Sequence, residues 1–185
     1  MQVFELLKDK NYMIGIPSRQ RTFLIDKKGG VWRYIKDHKV CLTIREEEAN
    51  AYQRSLGDRY PHLHIRPVPN DATICYKRQG LLDEAIARGV EYLFIIDDDV
   101  TFYFRDENLS SKYTSRAEDF DRMQAFDRIL LESIYFCNDE YPINGLPLKQ
   151  GSFGLKYMFP LNIPIIRYVC YHVPTLVKHN IRVDG

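Results

Sequence analysis

Three consecutive aspartates, Asp97, Asp98 and Asp99, follow directly on the apolar run Tyr92 to Ile96. Side chains alternate along an extended backbone, so Asp97 and Asp99 are expected to share one side while Asp98 faces the other. Two converging carboxylates can hold Mg2+ or Mn2+ and leave positions open for the oxygens of a diphosphate. An acid after a buried strand can also merely lead the chain into water or cap the next element, and for one Asp that would be reason enough. Three in a row repel one another and raise one another's pKa unless positive charge sits among them. Candidates for that charge lie upstream. The segment Pro17-Ser18-Arg19-Gln20-Arg21-Thr22 sets two guanidinium groups beside small hydrogen-bonding residues, and Arg19 and Arg21 could grip a nucleotide or simply be solvated. Lys77 and Arg78 sit near the start of a helical stretch, where they oppose the helix dipole and an anion such as a diphosphate would relieve the conflict. Further on, Gly151-Ser152-Phe153-Gly154 is glycine-rich enough to let backbone approach a ligand, though a plain loop has the same composition.

These groups need a frame. Tyr12 to Ile16 reads as a buried strand stopped by Pro17, which cannot donate to a central ladder. Val40 to Ile44 is a second strand, followed by a helix that opens on Glu46-Glu47-Glu48, acids placed where the macrodipole favours them, and runs to about Leu56. Thr22 to Asp37 has no clear period. His62-Leu63-His64-Ile65 alternates like a short strand; without a third ligand at metal spacing its histidines read as a solvated face. Leu82, Ala85 and Ile86 recur at helical spacing within Asp71 to Gly89, so a crossover helix capped by Gly89 feeds the central strand Tyr92 to Ile96 in βαβ order. Phe102 to Tyr113 reads as a loop. Ser115-Arg116-Ala117-Glu118 matches a capping box for a helix to about Phe136, with Met123, Phe126, Leu130 and Ile134 on its core face. Ile165 to His172 and Pro174 to His179 are expected to be a strand and a short helix.

The 185 residues suffice for one domain with a sizeable core. Opposite charges cancel to a net +1, which gives no sign of a dedicated nucleic-acid binder; a local basic patch is compatible with it. Cys41, Cys75, Cys137 and Cys170 are too scattered for a zinc site or a disulfide framework. There is no signal-peptide core and no run of membrane-span length, so a cytosolic protein without membrane contact is expected.

In this order, a strand leading into an arginine-bearing loop, an Arg78-Gln79 helix and a buried strand ending in Asp-x-Asp resemble the nucleotide-sugar-dependent glycosyltransferases of the GT-A fold. The resemblance covers most of the chain. It implies an α/β, Rossmann-like fold with a mostly parallel central sheet flanked by helices, a nucleotide sugar as donor, UDP-linked by first expectation, and Mn2+ or Mg2+ as cofactor. It places Pro17, Ser18, Arg19, Arg21, Arg78, Asp97 and Asp98 on the nucleotide sugar, and Asp97 and Asp99 on the metal. Gln79 departs from the Asn usual beside that Arg. The acidic pair many relatives use for catalysis would begin just beyond Val183, so either Asp184 serves, or the chain lacks its C-terminal part, or the pattern differs. More loosely, the IPSRQR and CYKRQ segments are similar to phage-type transferases that act on hydroxylated or hydroxymethylated pyrimidines in DNA, with host cytoplasm as the setting. Two other readings stand beside this one. Phe94 to Thr101 fits the hhhDxDxT pattern of haloacid-dehalogenase-like phosphatases, with Asp97 as nucleophile and Asp99 as acid/base. A non-catalytic nucleotide-binding module is the third.

Overall fold

The computed structural model describes residues 3–25, 30–100, 102, 104–105, 113–114, 119–146 and 167–183. Within these residues the chain runs through α1 (Val3–Lys8), β1 (Tyr12–Pro17), β2 (Val40–Arg45), α2 (Ala49–Leu56), β3 (Leu63–Val68), α3 (Ile74–Ala87) and β4 (Tyr92–Ile96). It continues through β5 (Phe104–Arg105), β6 (Tyr113–Thr114), α4 (Asp119–Phe136), β7 (Ile143–Gly145), β8 (Tyr168–His172) and α5 (Val173–Lys178). The main sheet has the order β3-β2-β1-β4-β8-β7.

Continuous apolar strands require cover on both faces, and this sheet has it. Along β1, β2 and β4 the side chains alternate between two cores. Ile14, Ile16, Leu42, Ile44, Phe94 and Ile96 face a cluster that includes Trp32, Tyr34, Tyr52, Leu56, Phe126 and Leu130. Met13, Cys41, Leu93 and Ile95 face the other, built on Leu81, Leu82 and Ala85 of α3 with Val173 and Leu176 of α5. Helix α3 lies tightly on β1 because residue 15 is glycine: a Cβ there would stand 2.9 Å from Leu81 Cδ1. At its start the Thr73 side chain accepts the Tyr76 N–H at 3.2 Å. At its end Gly89 adopts φ +62°, with Gly89 N–H on the Ile86 carbonyl and Val90 N–H on that of Ala85, a Schellman closure. The apolar stripe expected on α4 is in place, with Phe126, Leu130 and Ile134 buried. Edge strand β3 tolerates Pro67, which a central strand would not.

The expectation of a mostly parallel sheet is corrected. β3, β2, β1 and β4 pair in parallel, but β8 runs antiparallel to β4 and β7 antiparallel to β8, so the sheet is mixed. An apolar run announces a strand but not its direction, which is set by the connection. The unreadable stretch after Thr22 contains two 3-10 turns, Thr22–Leu24 and Val31–Arg33, and the second buries Val31 and Trp32. The expected loop after Phe102 contains a short ladder between β5 and β6. The capping box at Ser115 to Glu118 lies outside the described residues, as do Gly151, Ser152, Phe153, Gly154 and Asp184. No described helix is long and apolar enough to cross a membrane.

Candidate functional site

The chain leaves β1 outward to β2 and β3, then returns to the opposite side of β1 as β4. Between β1 and β4 the strand order therefore reverses. In open α/β sheets ligands bind beyond the carboxyl ends of the strands at such a point, and the two segments singled out by their chemistry meet there. The pairing of Gly15 with Ile95 spans eighty positions, and the same separation of 80 recurs between Ser18 and Asp98 beyond the strand ends.

Asp98 is the inner carboxylate, 2% exposed. Ser18 Oγ donates to its Oδ2 in a very short hydrogen bond, and Arg21 Nη1 donates to Oδ1 at 2.7 Å. Because the Ser18 hydroxyl is spent on the carboxylate, the 2.6 Å contact between Ser18 Oγ and Tyr52 OH must be donated by tyrosine. Tyr52 in turn accepts the Arg21 backbone N–H at 3.1 Å. The result is a closed ring of hydrogen bonds from the Arg21 backbone through Tyr52, Ser18 and Asp98 to the Arg21 guanidinium. It fixes the loop after β1. Gln20 within that loop has φ +51°, a conformation uncommon for a residue with a Cβ, and Glu48 Oε2 holds its N–H at 2.9 Å. The buried Lys77 donates to the Ser18 carbonyl from below. Burial lowers its pKa, Glu48 works against that, and Arg45 and Arg19 add to it.

Asp97 and Asp99 are both more open than the buried Asp98 and lie near enough for the charge of Asp99 to act on Asp97, although no extended strand sets them there. β4 ends at Ile96, and the Val100 N–H on the Asp97 carbonyl at 3.2 Å closes a turn, so the alternation of an extended chain stops before these residues. Asp97 meets Arg78 Nη2 of α3 at 2.9 Å. Asp99 meets Arg21 Nη1 through Oδ2 at 3.1 Å and Arg167 Nη1 through Oδ1 at 3.3 Å. Arg21 thus bridges Asp98 and Asp99. Burial raises the pKa of both Asp97 and Asp98, against the lowering influence of Arg78 on the first and of Ser18 and Arg21 on the second.

Among the described residues no group of three or more His, Cys, Asp or Glu side chains could hold a metal ion. Mg2+ in phosphate-handling sites takes only one or two carboxylates and completes its shell with water and phosphate oxygens. By that measure Asp99, its side chain a third exposed at 33%, and the half-buried Asp97 fit a cation shared with a diphosphate; Asp98, with both oxygens committed in the interior, does not.

Of the residues expected on the nucleotide sugar, Pro17, Ser18, Arg21, Arg78, Asp97 and Asp98 come together at this end of the sheet, and Arg19 stands exposed on the same loop. Gln79 turns away from the aspartates. Its side chain donates to Asp83 at 2.8 Å and accepts the Val183 N–H at 3.0 Å, tying the segment after α5 to α3. Sequence reasoning missed the roles of Tyr52, Glu48 and Arg167. Tyr52 lies in a helix read only for its acidic start, Glu48 reads as a dipole-favoured acid, and Arg167 falls inside the expected strand Ile165 to His172, where a lone arginine carries no signal. The presence of Lys77 and Arg78 near a helix start was the one visible cue, and both reach the site.

Comparison of the chain with models of known protein families finds no match, and comparison with curated proteins finds none.

Proposed function

We propose that this protein is a glycosyltransferase that moves a sugar from a nucleotide sugar, UDP-linked by preference, to an acceptor hydroxyl. The single observation that carries the reading is the meeting of the Ser18 to Arg21 loop with Asp98 and Asp99, beside the Arg78–Asp97 pair, at the reversal point of the sheet. A diphosphate leaving group demands positive charge, and Arg19, Arg21, Arg78 and Arg167 offer it from the loop after β1, helix α3 and the approach to β8. Asp97 and Asp99 would hold the Mg2+ or Mn2+, which supplies further positive charge for the departing diphosphate. Asp98 contributes differently, fixing through Ser18 and Tyr52 the loop that faces the nucleotide. Glu48 Oε1 is buried with no hydrogen-bond partner among the described residues and can accept from a nucleoside N–H or O–H next to that loop.

The acceptor proposed is a hydroxylated or hydroxymethylated pyrimidine in DNA, with Gly151, Ser152, Phe153 and Gly154 as its contact segment and Asp184 as candidate base. The phosphatase reading has less support here. Its core would begin at the strand that bears Asp97, whereas here β1, β2 and β3 precede that strand in the same sheet.

The test is a thermal-shift panel of nucleoside diphosphates and nucleotide sugars with and without Mn2+, since a ligand of the folded state raises its melting temperature. A shift of several degrees with UDP or a UDP-sugar that depends on the metal is the expected result. No shift with any nucleotide, together with hydrolysis of small phosphoesters, would transfer the assignment to a phosphatase.

A further inference from the structure

Asp99 is bracketed. One oxygen takes Arg21 and the other takes Arg167, so a cation arriving at this carboxylate competes with a guanidinium for the same negative charge. The two arginines are not equivalent. Arg21 also holds Asp98 at 2.7 Å, in the buried ring that fixes its own backbone. Arg167, 47% exposed, stands at the start of β8 and reaches Asp99 at the longer distance of 3.3 Å. Its backbone is anchored where it matters: the Arg167 carbonyl accepts the Asp97 N–H at 3.0 Å. The residue is therefore pinned beside the acidic turn while its side chain is held, among the described residues, by one exposed ion pair.

We propose that Arg167 is a diphosphate-binding residue held in reserve on Asp99, and that its guanidinium passes to the diphosphate when a divalent cation takes that carboxylate. The inference rests on the reading of this site as one for a nucleoside diphosphate. Guanidinium matches the paired oxygens of phosphate as well as those of carboxylate, so the exchange conserves the number of charge-assisted contacts. It also couples the two ligands. Cation on Asp99 releases Arg167 for the diphosphate, and diphosphate drawing Arg167 away leaves Asp99 for the cation, by the same factor in either direction.

The experiment is calorimetric titration of UDP, or of GDP, ADP and CDP where UDP does not bind, into wild type, Asp99→Asn, Arg167→Gln and the double variant, in EDTA and then in MnCl2. In EDTA, Asp99→Asn is expected to bind the nucleotide roughly twofold to fivefold more tightly than wild type, the range set by breaking an exposed ion pair. In the Arg167→Gln background that gain is expected to vanish. In MnCl2 the wild type tightens and Asp99→Asn does not. An undiminished gain in the Arg167→Gln background would show that Arg167 never reaches the diphosphate and would overturn the inference alone. Should Arg167→Gln fail to fold, Arg167→Lys replaces it: lysine lacks the planar fork that meets two phosphate oxygens in parallel, so the gain must shrink, and a full gain overturns the proposal equally. Wild type that binds no nucleotide in MnCl2 removes the reading of the site, and this inference with it.

Discussion

Asp98 sits between two opposed influences, burial, which favours its neutral form, and Arg21 with Ser18, which favour the charged one. Burial prevails, so the folded carboxyl lies above the ordinary value of 3.8. The folded state then keeps this proton to higher pH than the unfolded chain does. Its contribution to stability is full below about pH 4, where both states are protonated, and is lost as pH rises through the folded pKa. Asp98→Asn fixes the neutral form. Urea unfolding of the two proteins at pH 4 and pH 7 is expected to show wild type losing ground to Asp98→Asn as the pH rises. A change of the opposite sign would mean that the ion pair with Arg21 outweighs burial. Tyr52→Phe probes the same ring from its other side. It leaves the Arg21 N–H and the Ser18 hydroxyl each short of a partner, and a loss of about 1–3 kcal/mol is expected by the same unfolding assay. Neither role was legible in the sequence, because a tyrosine within a helix and the middle of three aspartates carry no mark of which neighbour they will meet.

At the scale of elements, the packing of α3 on β1 depends on an absence of side chain. With Leu81 Cδ1 only 2.9 Å from the position of a Cβ on residue 15, Gly15→Ala forces a buried leucine to move. A cost of about 1–3 kcal/mol is expected, and it should largely disappear when the same change is made in a Leu81→Ala background. The same shift would carry Lys77 and Arg78 away from Ser18 and Asp97, so weakened nucleotide binding should accompany it. Elements of this kind were readable in advance. β1, β2, β4 and α3 each carry an unbroken apolar run or a helical repeat, and their order as βαβ units follows from it. The direction of β8 and the 3-10 turns around Trp32 were not, since the first depends on a connection and the second have no period for a pattern to reveal. Nor was the turn at Asp97 to Val100, which redistributes three adjacent carboxylates among Arg78, Ser18, Arg21 and Arg167.

For the molecule as a whole, the sheet is assembled from distant parts of the chain. Helices α2 and α3 join β2 to β3 and β3 to β4, but β4 finds its second neighbour only in β8, at Tyr92 opposite His172 and Ile96 opposite Tyr168. During synthesis this has a consequence. Until residues 168–172 have emerged from the ribosome, Tyr92–Ile96 is an edge strand, with every side chain aromatic or aliphatic and a full row of unpaired backbone groups along one side. Such a segment, free of proline and charge, is a template for association between nascent chains. β8 is then the element that covers this edge, and chains released before it are expected to go to the pellet in larger share than the same chains extended through α5.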